Sequence, residues 1–88
     1  MLTLANLERC FDSAKEQGYS YVGVKIKMEG FEESEVIINP NANINKKLEY
    51  YKNAYNDDLT LKSFNGIKII GFTYGDSYDE IEEDLVLE

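Results

Sequence analysis

Residues 19–39, YSYVGVKIKMEGFEESEVIIN, decide the fold. From Tyr19 to Met28 the chain alternates: Val22, Val24, Ile26 and Met28 point one way, and Tyr21, Gly23, Lys25 and Lys27 the other. Strand side chains alternate with a period of two, so this pattern predicts a half-buried strand. Glu29 to Ser34 follow as a turn, and Glu35 to Asn39 give a second short strand around Val36, Ile37 and Ile38. Two strands this close in sequence predict an antiparallel hairpin. Pro40 ends the second, because it has no N–H to offer a ladder.

Outward from the hairpin the period changes. Upstream, Leu4, Leu7, Phe11 and Ala14 fall on one stripe and predict an amphipathic helix over 3–17. Thr3 suits its N-cap and Gly18 a left-handed C-cap. Cys10, beside the stripe, is expected to fill core space. Downstream, Ile44, Leu48, Tyr51 and Tyr55 predict a second helix, with Asn43 as N-cap, Tyr50 pointing away and an end near Asn56–Asp58. Leu59–Phe64 and Ile67–Tyr74 predict two more strands, with Asn65-Gly66 as the turn between them. Gly71 interrupts the last strand and points to a bulge or a close backbone approach. Ser77-Tyr78-Asp79-Glu80 matches a capping box ahead of a short helix carrying Ile81 and Leu85.

The predicted order is α-β-β-α-β-β-α. It implies a single α+β domain over residues 1–88. The expected architecture is a four-stranded, largely antiparallel sheet with two helices on one face and a short acidic C-terminal helix. Strand order does not follow from the sequence.

Composition narrows the function. The chain has 88 residues, no histidine and one cysteine, so a Cys/His metal cluster, a His-based triad and an internal disulfide have no residues to form them. Phosphate-binding glycine loops and the calcium-loop pattern are absent, and no cofactor is expected. No spacing singles out a carboxylate pair for hydrolysis, so an enzyme is the least favoured class. Glu8, Arg9, Asp12, Lys15 and Glu16 interrupt the first twenty residues, unlike a secretory leader, and the expected location is the cytoplasm. A net charge of −8 opposes direct contact with nucleic acid or an anionic membrane.

That charge is concentrated. Residues 76–88 hold Asp76, Asp79, Glu80, Glu82, Glu83, Asp84 and Glu88, seven of the 17 acidic residues, and none of the nine basic ones. A smaller group is Glu29, Glu32, Glu33 and Glu35. Surface carboxylates often serve solubility alone. Together with tyrosines they also suit a protein partner with a basic surface, through ion pairs and cation–π contacts. The candidate contact residues are Tyr74, Asp76, Tyr78, Asp79, Glu80, Glu82, Glu83 and Asp84, with Tyr19, Tyr21 and Tyr50 as further half-exposed aromatics.

The runs Gly71-Phe72-Thr73-Tyr74-Gly75-Asp76-Ser77-Tyr78-Asp79-Glu80-Ile81 and Lys47-Leu48-Glu49-Tyr50-Tyr51-Lys52 resemble small uncharacterised acidic proteins from phages and prophages of Gram-positive bacteria. The resemblance implies an accessory role in a mobile element. One such role is inhibition of a host nucleic-acid-handling defence factor by occupying its nucleic-acid channel. The expectation is a non-enzymatic binding protein; the alternatives are an assembly protein that forms a homo-oligomer and a small carboxylate enzyme.

Overall fold

A computed structural model describes residues 2–86. The elements run α1 (Leu4–Gln17), β1 (Tyr21–Met28), β2 (Glu35–Pro40), a 3₁₀ turn (Asn41–Asn43), α2 (Ile44–Ala54), β3 (Thr60–Leu61), β4 (Phe64–Gly75) and α3 (Tyr78–Val86). The strands form one antiparallel sheet in the order β2-β1-β4-β3. The α+β class and the four-stranded antiparallel sheet therefore match the sequence reading.

The hairpin that decides the fold pairs Tyr21 with Pro40 through to Ile26 with Glu35. Its alternation sends Val22 and Val24 into a core with Leu7, Phe11 and Ala14 of α1, Ile44 and Tyr51 of α2, and Tyr55, Leu59 and Ile69. Both helices thus lie on one face of the sheet. Each fully buried aliphatic or aromatic side chain there contributes roughly 1.5–3 kcal/mol. Asn39 is the one buried polar residue described; its Nδ2 donates to the Val22 carbonyl at 3.1 Å beside Tyr51. Burial pushes the Tyr51 hydroxyl up to about 12, and that of the Cys10 thiol, packed against the same core, to about 11. Cys10 is therefore a protonated core filler at neutral pH, as its place beside the α1 stripe suggests.

α1 starts as predicted. Thr3 Oγ1 accepts from the Asn6 N–H, and Asn6 Oδ1 accepts from the Thr3 N–H, a reciprocal box built with Asn in place of the usual Glu or Gln. It ends at Gly18, whose φ of 75° is one that glycine adopts freely. α2 differs from expectation at both ends. Asn43 precedes it, but its side chain caps nothing, because the 3₁₀ turn already delivers the chain in helical form. The helix stops at Ala54, where Tyr55 turns extended and bridges to Leu61.

The second hairpin corrects the sequence reading most. The turn falls at Lys62-Ser63, between the paired residues Leu61 and Phe64, and Asn65-Gly66 lies inside β4. The reason is competition for β4. β1 continues past Met28↔Ile67, and the Glu29 N–H donates to the Gly66 carbonyl at 2.7 Å, drawing Asn65-Gly66 into the central ladder. Leu59 is not a strand residue either. It takes a left-handed φ of 71°, with its side chain fully buried, so core packing overrides its backbone preference.

Candidate functional site

α3 occupies the face of the sheet opposite α1 and α2. The residues beneath it are those alternating with Val22 and Val24, and glycines make the room. A Cβ built on Gly23 would sit 2.2 Å from Ile81 Cγ2 and 3.2 Å from Leu85 Cδ1. At Gly71 it would stand 3.4 Å from Leu85 Cδ2, and at Gly75 2.7 Å from Glu80 Oε2. Ile81 and Leu85, one helical turn apart, are both buried in this bed. At Gly71 that distance is an ordinary contact, and of the two readings of this glycine the bulge is the one seen. The register shift in the β1–β4 ladder lies beside it, at Lys25/Ile26.

Both ends of α3 are tied down. At the start, Ser77 Oγ accepts from the Glu80 N–H at 3.2 Å, while Glu80 Oε2 accepts from the Asp76 N–H at 3.2 Å. This is the predicted capping box with its acidic arm reaching one residue further back. Asp79 and Glu80 also sit in the first turn, where the helix dipole favours negative charge. At the end, the Lys25 ammonium donates to the Leu85 carbonyl, placing a cation where the dipole is negative.

The eight candidate contact residues divide into three sets. Asp76, Glu80 and Asp84 are engaged with the body: Asp76 Oδ1 accepts from the Ser20 N–H and hydroxyl at 3.1 and 3.3 Å, and Asp84 Oδ2 accepts from the Thr73 hydroxyl at 3.1 Å. Tyr74 lies on the other face of the sheet, packed on the core and stacked on Tyr19 at 4.6 Å between ring centroids. Tyr78, Asp79, Glu82 and Glu83 remain exposed on the outside of α3. Tyr78 is 54% exposed and stands edge-on to Tyr21 at 5.0 Å, so its ring is oriented without being covered.

No cation neutralises this outer stripe: the one salt bridge among the described residues, Lys52–Glu8 at 3.0 Å, joins α2 to α1. Among the described residues no group of three or more Cys, Asp or Glu side chains is placed to hold a metal ion. No described helix is long and apolar enough to cross a membrane. Lys25 and the three glycines complete the site with Tyr21, and of these sequence reading offered only Tyr21, as a half-exposed aromatic. The available signal was glycine on the polar face of two strands, Gly23 in one and Gly71 with Gly75 in the other, which leaves a trough where side chains would otherwise stand.

Comparison of the chain with protein-family models, curated proteins and solved structures finds no match.

Proposed function

We propose that this chain is a non-enzymatic binding protein that docks a basic protein surface on the outer face of α3, with Tyr78, Asp79, Glu82 and Glu83 as the contact. The supporting observation is the way α3 is held. A helix clamped at both ends and seated on glycine keeps an aromatic ring and a row of unneutralised carboxylates in fixed positions. Pre-ordering of this kind lowers the entropic cost of binding. Tyrosine supplies contact area with few rotatable bonds, and the carboxylates accelerate encounter with a cationic partner. The resemblance to phage proteins suggests the partner's class: a host defence factor whose basic channel ordinarily holds nucleic acid.

The test is capture from a host lysate with the wild-type chain and with a variant carrying Asp79→Asn, Glu82→Gln and Glu83→Gln. A specific partner is expected to bind the wild type with strong salt dependence, to be displaced by excess nucleic acid, and to lose both affinity and salt slope with the variant. An affinity and salt slope equal in both proteins would remove α3 from the contact. The homo-oligomer reading has one observation in its favour, the unpaired outer edge of β2 with Val36 and Ile38. Sedimentation showing one mass across a wide concentration range would remove it.

A further inference from the structure

We infer that the outer edge of β4 at Phe72–Tyr74 accepts an added strand from a basic, extended peptide. This inference rests on the acidic docking proposed above and specifies the form its partner takes.

β4 is much longer than the strand beside it. β3 pairs with it only at Leu61↔Phe64 and Thr60↔Lys68, and one further hydrogen bond runs from the Ile69 N–H to the Leu59 carbonyl at 3.0 Å. Beyond Ile69, among the described residues, no strand follows on that side. The direction of the backbone groups follows from the ladder. Gly66 bonds toward β1 through Glu29, and Ile69 bonds away from it. Ile70 is the extra residue at the register shift, after which Gly71, Thr73 and Gly75 pair with Lys25, Gly23 and Tyr21. Antiparallel alternation then turns the N–H and C=O of Phe72 and Tyr74 outward. Among the described residues neither has a hydrogen-bond partner on that side. A row of unpaired groups at a sheet edge is a template for another strand.

The surroundings of this edge define the strand it fits. A groove of about 350 Å³ straddles it, with Leu2, Ile70 and Phe72 supplying apolar surface and Asp84 and Leu85 closing the α3 side. Asp84 is bonded to Thr73, and Glu80 lies against Gly75, so both carboxylates overhang β4. Four residues along a helix span about 6 Å, close to the roughly 6.8 Å between alternate residues of a strand. A strand laid on this edge therefore brings every second side chain beside a carboxylate and the intervening ones against the apolar groove. The complementary sequence alternates Lys or Arg with apolar residues. A second copy of this chain is a poor match, because each copy carries a net charge of −8. The outer edge of β2 is also open, but it closes on Pro40, which has no N–H to pair.

The experiment uses the full chain and an acetylated, amidated octapeptide alternating Lys and Val, with its Glu-for-Lys counterpart as control. Amide hydrogen exchange is followed by NMR. The Lys peptide is expected to slow exchange at Phe72 and Tyr74 at least about tenfold, and the Glu peptide to have no effect. A Glu80→Gln/Asp84→Asn variant keeps oxygens for the Asp76 N–H and the Thr73 hydroxyl while removing two charges. It should weaken the Lys peptide roughly fivefold. Exchange at Phe72 and Tyr74 already as slow as in the β1–β4 ladder of the free protein would overturn the inference. So would a Lys peptide that protects Val36 and Ile38 instead. Binding weakened by Glu82→Gln/Glu83→Gln but not by Glu80→Gln/Asp84→Asn, with Phe72 and Tyr74 unprotected, would overturn it while leaving docking on the outer face of α3 standing. No binding of the Lys peptide at low salt would overturn the inference, and docking of a folded basic surface on α3 would then stand or fall by the lysate capture alone.

Discussion

Replacing Gly23 by alanine tests the seating of α3 directly. The new Cβ would meet Ile81 Cγ2 at 2.2 Å, where an ordinary carbon–carbon contact is about 3.5–4.0 Å. Ile81 belongs to a helix fastened at both ends, so the helix has to retreat by about 1.5 Å. Burial of Ile81 and Leu85 together contributes roughly 3–6 kcal/mol. A gap of that size forfeits about half of the contact or more, or about 1.5–3 kcal/mol. Alanine recovers roughly 0.5–1 kcal/mol by removing the conformational freedom of glycine in a strand. The net loss is about 0.5–2.5 kcal/mol, a fall in Tm of roughly 2–20 °C for a chain of this length. Thermal melts measure the fall, and hydrogen exchange should show it concentrated in α3 while the α1–α2 core keeps its protection. In a double-mutant cycle with Ile81→Ala, the two losses should fall short of additivity by about 1 kcal/mol, because removing the Ile81 side chain relieves the clash. An unchanged or raised Tm, or strictly additive losses, would refute the glycine seat.

Three further outcomes follow from the same contacts. Lys25→Met removes the cation at the α3 carboxyl end and should cost about 0.3–1 kcal/mol, read as faster exchange of the last α3 amides with the core unaffected. Leu59→Ala should cost about 2–5 kcal/mol in chemical denaturation, and Leu59→Gly should cost no more than Leu59→Ala despite the smaller side chain, because glycine relieves the φ of 71°. Stability should decline in alkali: Cys10 and Tyr51 ionise at higher pH in the folded protein than in the unfolded chain, so the folded state holds more protons and its advantage, complete below about 9, is lost as pH rises toward about 11 for Cys10 and about 12 for Tyr51. Tm measured from pH 8 to 11 checks the sign, and a curve flat through this range would refute it.

Much of the fold was legible because the deciding patterns are local. The alternation through Val22, Val24 and Ile26, the α1 stripe with Thr3 and Gly18, and the Ser77–Glu80 box each depend on neighbours within a few residues. Asn65-Gly66 misled because a turn propensity is also local, whereas the choice between turning there and extending β4 was made by Glu29, far away in sequence. Leu59 misled for the same reason, its backbone being set by the space it fills in the core. At the candidate site, sequence showed which residues carry charge but not which ones spend it on the protein's own backbone and hydroxyls. Asp76, Glu80 and Asp84 are chemically indistinguishable from Asp79, Glu82 and Glu83 until Ser20 and Thr73 are brought beside them. Tyr74 and Tyr78, four positions apart, end on opposite sides of the sheet because a strand stops and a helix starts between them.

The glycine seat also separates inheritance of the fold from inheritance of its outer chemistry. α3 grips backbone rather than a matched set of side chains, and it does so through Ile81 and Leu85. Substitutions at 79, 82 and 83 are thereby released from packing on the sheet below, while Tyr78 keeps its edge-on contact with Tyr21. Lineages under pressure to recognise a changing target could redraw that stripe residue by residue while Ile81, Leu85 and Gly23 stay fixed. The same arrangement makes α3 a natural graft position, where a foreign contact sequence can be written on these three outward positions without redesigning the body.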